Sequence, residues 1–482
     1  MVATLATLAG VASDVAPWLR GPAPYPPEWQ WLRRAPLDAG PVGSSLAVGA
    51  ALLAVLLLST TSWARRAPRR AAAIVAAAVG LGFLFQLAVL ELEPEGALPA
   101  VMNQTVYRTA TSYHTIAASE DARDPLAFLR QHHELLPALR KAGKHASTHP
   151  PGGVLYFRGL LAVFERSPAL TRAVLEGAGF DEVNPRRSRP QHTPPARAAA
   201  LVGGLLIGLL CAATAWPIAA FARRAGADPL SAARVALLWA LLPGPVLMTP
   251  MLDQALCLPV ATATACLAAA MAAPEQARAW RLAALAGVLG GLAVFVSYGA
   301  PVFLAFGGCA ALALALGAPG RFRRAAAVAA IAGSVTAALW MLPATLGHRP
   351  WASLATALAI HRDEYTRPRS YPLWLLFNPL DLALFLGVPV AVAWAVRTVR
   401  SAVRARREGI DRLRIATGLG LLALLLAGQT RGEVGRIWLP LMPTLLVAAL
   451  ARPGGPTRGE ALVCGTCLAA LTIAMGLFWQ VP

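Results

Sequence analysis

Apolar stretches of about 17 to 25 residues recur along the chain, each closed by a short polar or arginine-bearing turn, as expected of helices crossing a hydrocarbon core of about 30 Å. They fall at 2–19, 42–64, 71–92, 198–221, 235–250, 254–273, 282–297, 300–317, 325–346, 372–396, 413–428, 437–451 and 461–479. This pattern predicts thirteen spans, or twelve if the first fails, since Asp14 and Pro17 interrupt it. Between the third and fourth spans lies a polar stretch, 93–197, with an amphipathic repeat at 124–139 and an apolar run at 154–164, so surface helices are expected there. The expected fold is all-α: a polytopic membrane helical bundle of about 12 to 13 transmembrane helices, with a long outer loop containing surface helices. Residues 1–70 read as accessory spans with an interfacial Pro/Trp segment at 20–34, and 71–482 as the core.

Composition agrees with a membrane protein. Of the 482 residues 57% are hydrophobic and 14% charged, against about 25% charged in soluble proteins. The net charge of +19 is distributed as short arginine clusters between apolar spans, which is how cytoplasmic loops are marked and not how a nucleic-acid surface is built. One side of the alternating topology carries 21 arginines and five acids; the other carries 22 basic residues, 19 acids and all eight histidines. The first side is therefore cytoplasmic, and polar chemistry is expected on the outer, periplasmic or extracellular, face of a multi-pass protein of a bacterial cytoplasmic membrane. All six cysteines lie inside apolar spans, Cys464 and Cys467 included, and read as packing residues. A nucleotide-binding glycine loop is absent from the sequence, so a nucleotide-driven motor is not expected.

Candidate chemistry gathers at the outer ends of spans. Glu91, Glu93 and Glu95 stand where the third span leaves the membrane, and each is a general base or cation ligand, or part of a solvated helix end. Lys144 to Gly153 reads K-H-A-S-T-H-P-P-G-G: two prolines fix the backbone after His149, and two glycines permit close approach before an apolar helix. Asp253 occupies a very short turn between two apolar spans, where a carboxylate is desolvated unless a cation, donor or substrate faces it. The run H-R-D-E-Y-T-R-P-R-S-Y brings His361, Arg362, Arg367, Arg369 and Tyr371 close to a membrane surface, and arginine forks match phosphate geometry. A second confined turn, T-R-G-E-V-G-R-I-W, holds Arg431, Glu433 and Arg436.

Together these pieces, from Glu91 to Trp438, resemble the C-type integral-membrane glycosyltransferases, the group that includes protein O-mannosyltransferases and aminoarabinose transferases. The likeness rests on the acidic exit into a long first loop, H-P-P-G at 149–152, the Asp in a short outer turn, R-x-Y at 369–371 and G-E-V-G-R-I-W near the end. It implies a polyprenyl-phosphate sugar donor and a lipid, glycan or protein acceptor used at the outer face. Catalytic roles would fall to Glu95 or Glu93 with Asp253 as base, and to His149 in positioning base, acceptor or phosphate. Arg369, His361, Arg362, Arg436 and Tyr371 would bind the donor phosphate. Metal dependence stays open, a divalent cation near Glu95 and Asp253 being the form it would take. The three spaced glutamates replace the paired acids or single Asp of better-known relatives, so the base among them is unassigned. The competing expectation is a secondary transporter or lipid flippase.

Overall fold

A computed structural model of the chain describes residues 1–34, 41–61, 64, 68–106, 112–180, 192–316, 321–404, 408–452 and 454–480. Arg65 and Arg66 of the basic hairpin, and parts of the 93–197 segment, lie outside the described residues. The fold is all-α, 80% helical. Among the described residues six helices are long and apolar enough to cross a membrane: Arg69–Leu90, Pro194–Arg224, Asp253–Ala272, Gln276–Val296, Phe322–Leu346 and Arg458–Phe478. They suggest an integral membrane protein. A seventh is reached if Tyr371–Phe385 and Val388–Val403, bent by 118° between them, count as one.

The remaining expected spans are shorter or more polar, for reasons visible in the chain. The first is the 12-residue helix Val2–Ser13, stopped at Asp14, which takes a left-handed conformation. The run 235–250 is split: Pro229–Trp239 ends, and Pro243–Leu247 begins again at a Pro-Gly-Pro that cannot continue the earlier helix. Leu230 to Trp239 and Met442 to Leu450 are buried on every side. Short, mostly apolar helices buried all round belong to the centre of a large protein, and the one charge among them, Arg234, is satisfied by the hydroxyl and carbonyl of Ser59. Gly409–Ala427 begins with Asp411, Arg412 and Arg414 inside the helix, which leaves too little uncharged length.

The 93–197 segment contains helices Ala97–Val106, Tyr113–Ala117, Pro125–Lys141, Gly152–Arg166 and Pro168–Gly177. Asp124 caps the third of these by accepting from the amides of Leu126 and Ala127. Tyr113, Ile116, Phe128, Leu136 and Phe157 form a small core beneath them, into which Leu252 also packs. The N-terminal stretch is tied down at residues 32–34. Leu32–Arg33 pairs antiparallel with Trp479–Gln480, and Arg34 forms an ion pair with Glu93.

Candidate functional site

Two turns predicted to carry chemistry meet face to face. Helix Gly152–Arg166 starts just after His149, and its first two residues must be small. A Cβ on Gly152 would lie 2.1 Å from the Phe295 carbonyl oxygen, and one on Gly153 would lie 2.6 Å from Leu252 and 2.8 Å from Tyr113. The H-P-P-G-G run is therefore pressed against the residue preceding Asp253. Asp253 opens helix Asp253–Ala272, so its carboxylate also sits at the positive end of that helix.

From Asp253 a chain of alternating charges runs through the interior. Arg436 Nη1 donates to Asp253 Oδ2 at 3.0 Å, and its Nη2 donates to Glu433 Oε2 at 2.6 Å. Arg369 Nη2 then donates to Glu433 Oε1 at 3.3 Å. Side-chain exposure is 4% for Arg369, 9% for Arg436, 13% for Glu433 and 16% for Asp253. Two guanidinium groups and two carboxylates balance to zero, which is the condition under which such charges can be buried. Burial alone would push the Glu433 carboxyl up, but Arg436 and Arg369 together bring it below its ordinary value. Burial works against the Arg436 charge as well, and Asp253 and Glu433 more than offset it.

Local backbone serves this chain. Glu433 has φ 58, in the left-handed region, and follows Gly432 at φ 97. A left-handed non-glycine residue costs about 1–2 kcal/mol, and here the twist lets one carboxylate face two arginines. A Cβ on Gly432 would lie 2.9 Å from Arg369 Nη1 and 3.0 Å from the Trp374 ring. Arg431, from the same turn, donates to the carbonyls of Gly428, Thr366 and Arg369 and lies over the Tyr371 ring.

Beside the charged chain lies a group of aromatic and imidazole rings. His149 is 4.8 Å from His145 and 5.5 Å from Tyr113, centroid to centroid. His145 and His361 both approach Tyr365. Burial, followed by Arg436 and His361, lowers His149 to about 3. Burial and the neighbouring His149 lower His145 as well. Burial lowers His361, against a partial upward pull from Glu433. These three imidazoles are therefore neutral at pH 7. His361, expected beside the arginines as a donor-phosphate residue, is held below its ordinary value by burial. Burial and Asp253 raise the Tyr113 hydroxyl, so it too stays uncharged.

The structure thus brings together Asp253, His149, Arg436, Arg369 and His361. Tyr371 lies nearby with its hydroxyl on the Leu426 carbonyl. Arg362 is at the exposed rim, where both it and Arg367 meet Asp363. The glutamates of the first loop have other partners. Glu91 accepts from the Ala97 amide, Glu93 pairs with Arg34, and exposed Glu95 takes a long 3.4 Å hydrogen bond from Asn103. Among the described residues no group of three or more His, Cys, Asp or Glu side chains is arranged to hold a metal ion. Tyr113, His145 and Tyr365 were not foreseen, and Glu433 was seen only as a member of a confined turn. Comparison with protein-family models, with curated proteins and with solved structures found no match to the chain.

Proposed function

We propose that the chain is a membrane-embedded glycosyltransferase that moves a sugar from a polyprenyl-phosphate donor to an acceptor hydroxyl at the outer face. The observation that carries the reading is the largely buried carboxylate of Asp253, 16% exposed and held 3.0 Å from Arg436. A carboxylate so placed is equipped to take the acceptor proton as the new bond to the anomeric carbon forms and the bond to the phosphate oxygen breaks. The departing phosphate gains charge, which fixed guanidinium groups are suited to stabilise. Because the buried charges already balance, the phosphate would draw its compensation from exchange within the Arg369–Glu433–Arg436 chain and from Arg362 and Arg367 at the rim. Neutral His149 would orient the acceptor or the base. In this reading the short apolar helices complete the bundle's membrane region, residues 93–197 lie outside the membrane, and residues 1–70 are accessory to a 71–482 core.

The test is transfer of labelled sugar from polyprenyl-phosphate donors by the purified chain in nanodiscs. Wild type should transfer and Asp253→Asn should lose roughly 10²- to 10⁴-fold in rate. The 118° bend between Phe385 and Val388 and the break before Pro243 are discontinuities of the kind transporters use. Vectorial flux in proteoliposomes without any covalent transfer would favour that second reading.

A further inference from the structure

The segment 20–34 looks from its Pro and Trp content like an interfacial strip, yet it reaches the buried charges at two points. Pro27 accepts through its carbonyl from Arg369 Nε at 3.2 Å, and Glu28 accepts from the Ser370 amide and from Trp374 Nε1. Further on, Trp31 is 2% exposed, and its ring packs 5.0 Å from that of Phe385. Its indole N–H donates to Asp381 Oδ1 at 2.9 Å, and the other oxygen of that carboxylate accepts from the Gly435 amide at 2.9 Å. Gly435 directly precedes Arg436. It is pressed against the same surface, since a Cβ there would lie 2.3 Å from the Phe385 ring.

Trp31 and Gly435 each hold one oxygen of the Asp381 carboxylate, with the Val434 backbone as a further donor, and together they set its plane. If one donor is removed in a buried place, the carboxylate rotates to recover a partner and the second bond weakens. We propose that Trp31 is a positioning residue for Arg436: through Asp381 and the Gly435 amide it fixes the place from which Arg436 meets Asp253. Its consequence for catalysis rests on the transferase reading above, whereas its consequence for geometry does not. The N-terminal segment would then be part of the site's framework.

The experiment is amide exchange of the full chain in nanodiscs, read at Gly435 and Arg436, for wild type, Trp31→Phe, Asp381→Asn and the double variant. Trp31→Phe keeps a ring against Phe385 and removes the donor along with part of the indole's volume, whereas Asp381→Asn breaks the same set of bonds at nearly constant volume. Exchange at Gly435 and Arg436 should accelerate by about tenfold or more in each single variant, with the amide of Leu445 in the central core unchanged. The double variant should exceed the larger single effect by little, because both substitutions break one connected set of bonds. In the transfer assay, kcat of Trp31→Phe should fall by up to about 10²-fold with KM held. Exchange at Gly435 within about twofold of wild type, or effects that add, would overturn the proposal. Should Trp31→Phe fail to fold, Asp381→Asn decides by the same local exchange. If wild type transfers no sugar, the functional reading falls, and the exchange data still decide whether Trp31 positions Arg436.

Discussion

Nη1 of Arg436 lies 3.0 Å from Oδ2 of Asp253 across 183 positions of sequence. Each residue is the other's means of being buried, and Glu433 is a second partner on the Arg436 side. Asp253→Asn therefore leaves Arg436 with one carboxylate instead of none. The variant should fold, at a cost of about 1–3 kcal/mol in a thermal melt, and should lose nearly all transfer. Glu95→Gln should stay close to wild type in both measurements, because Glu95 is exposed and bound only at 3.4 Å. Equal losses in the two variants would count against Asp253 as the base.

Arg369 is a three-point connector. It donates to the carbonyls of Pro27 and Arg431 and to Glu433. A lysine keeps the charge but cannot present a planar fork to three acceptors. Arg369→Lys should destabilise by about 2–4 kcal/mol and weaken donor binding. A melt and a donor titration that match wild type would show that the fork is dispensable.

Gly432 tests the turn itself. Gly432→Ala places a Cβ at φ 97 and 2.9 Å from Arg369 Nη1, and should cost about 1–3 kcal/mol from strain alone. Gly333, within helix Arg321–Met341, has nothing within 4 Å of a built Cβ. There the same change should stabilise by about 0.5–1 kcal/mol, as helix propensity dictates. A melt series containing both variants checks the contrast in sign.

Acid should destabilise the fold earlier than its carboxylates alone would dictate. His149 and His132 are lowered to about 3 and His114 to about 4, in each case mainly by burial, from an ordinary 6.5. Between pH 6.5 and those values the unfolded chain binds protons that the folded chain excludes. Stability is thus complete above pH 6.5 and falls as the pH is lowered toward 3. Melting temperature followed from pH 8 to pH 4 should decline throughout the lower half of that range. His149→Gln, which cannot titrate, should shallow the decline; an unchanged slope would mean that His149 carries a proton in the folded state.

The confinement of Asp253 was legible because a carboxylate between two apolar runs has few ways to reach water. Its partner was not, since hydropathy carries no information about which distant turn will supply the cation. The same holds for Glu93, whose partner Arg34 lies two predicted spans earlier in the chain. Apolar length was the less reliable guide to the fold. A hydropathy window reads Leu237, Leu238, Leu445 and Leu446 as lipid-facing, whereas these residues are buried in protein. Periodicity cannot distinguish a lipid environment from the interior of a large helical bundle. The role of 20–34 escaped notice because Pro and Trp are as common at a membrane interface as in a packed strap, and the hydrogen bonds of Glu28 and Trp31 join residues some 340 to 350 positions apart.

The pairing of Leu32–Arg33 with Trp479–Gln480 has a consequence for biosynthesis. The strap is translated before Arg369 and Arg436, and the strand that pins the strap is translated after both. A ribosome releasing this chain in order cannot deliver a finished site at any intermediate length. Residues 27–31 must wait beside an incomplete bundle until Trp479 and Gln480 have emerged. Truncation at about residue 478 would remove the pinning strand and release the segment that touches Arg369.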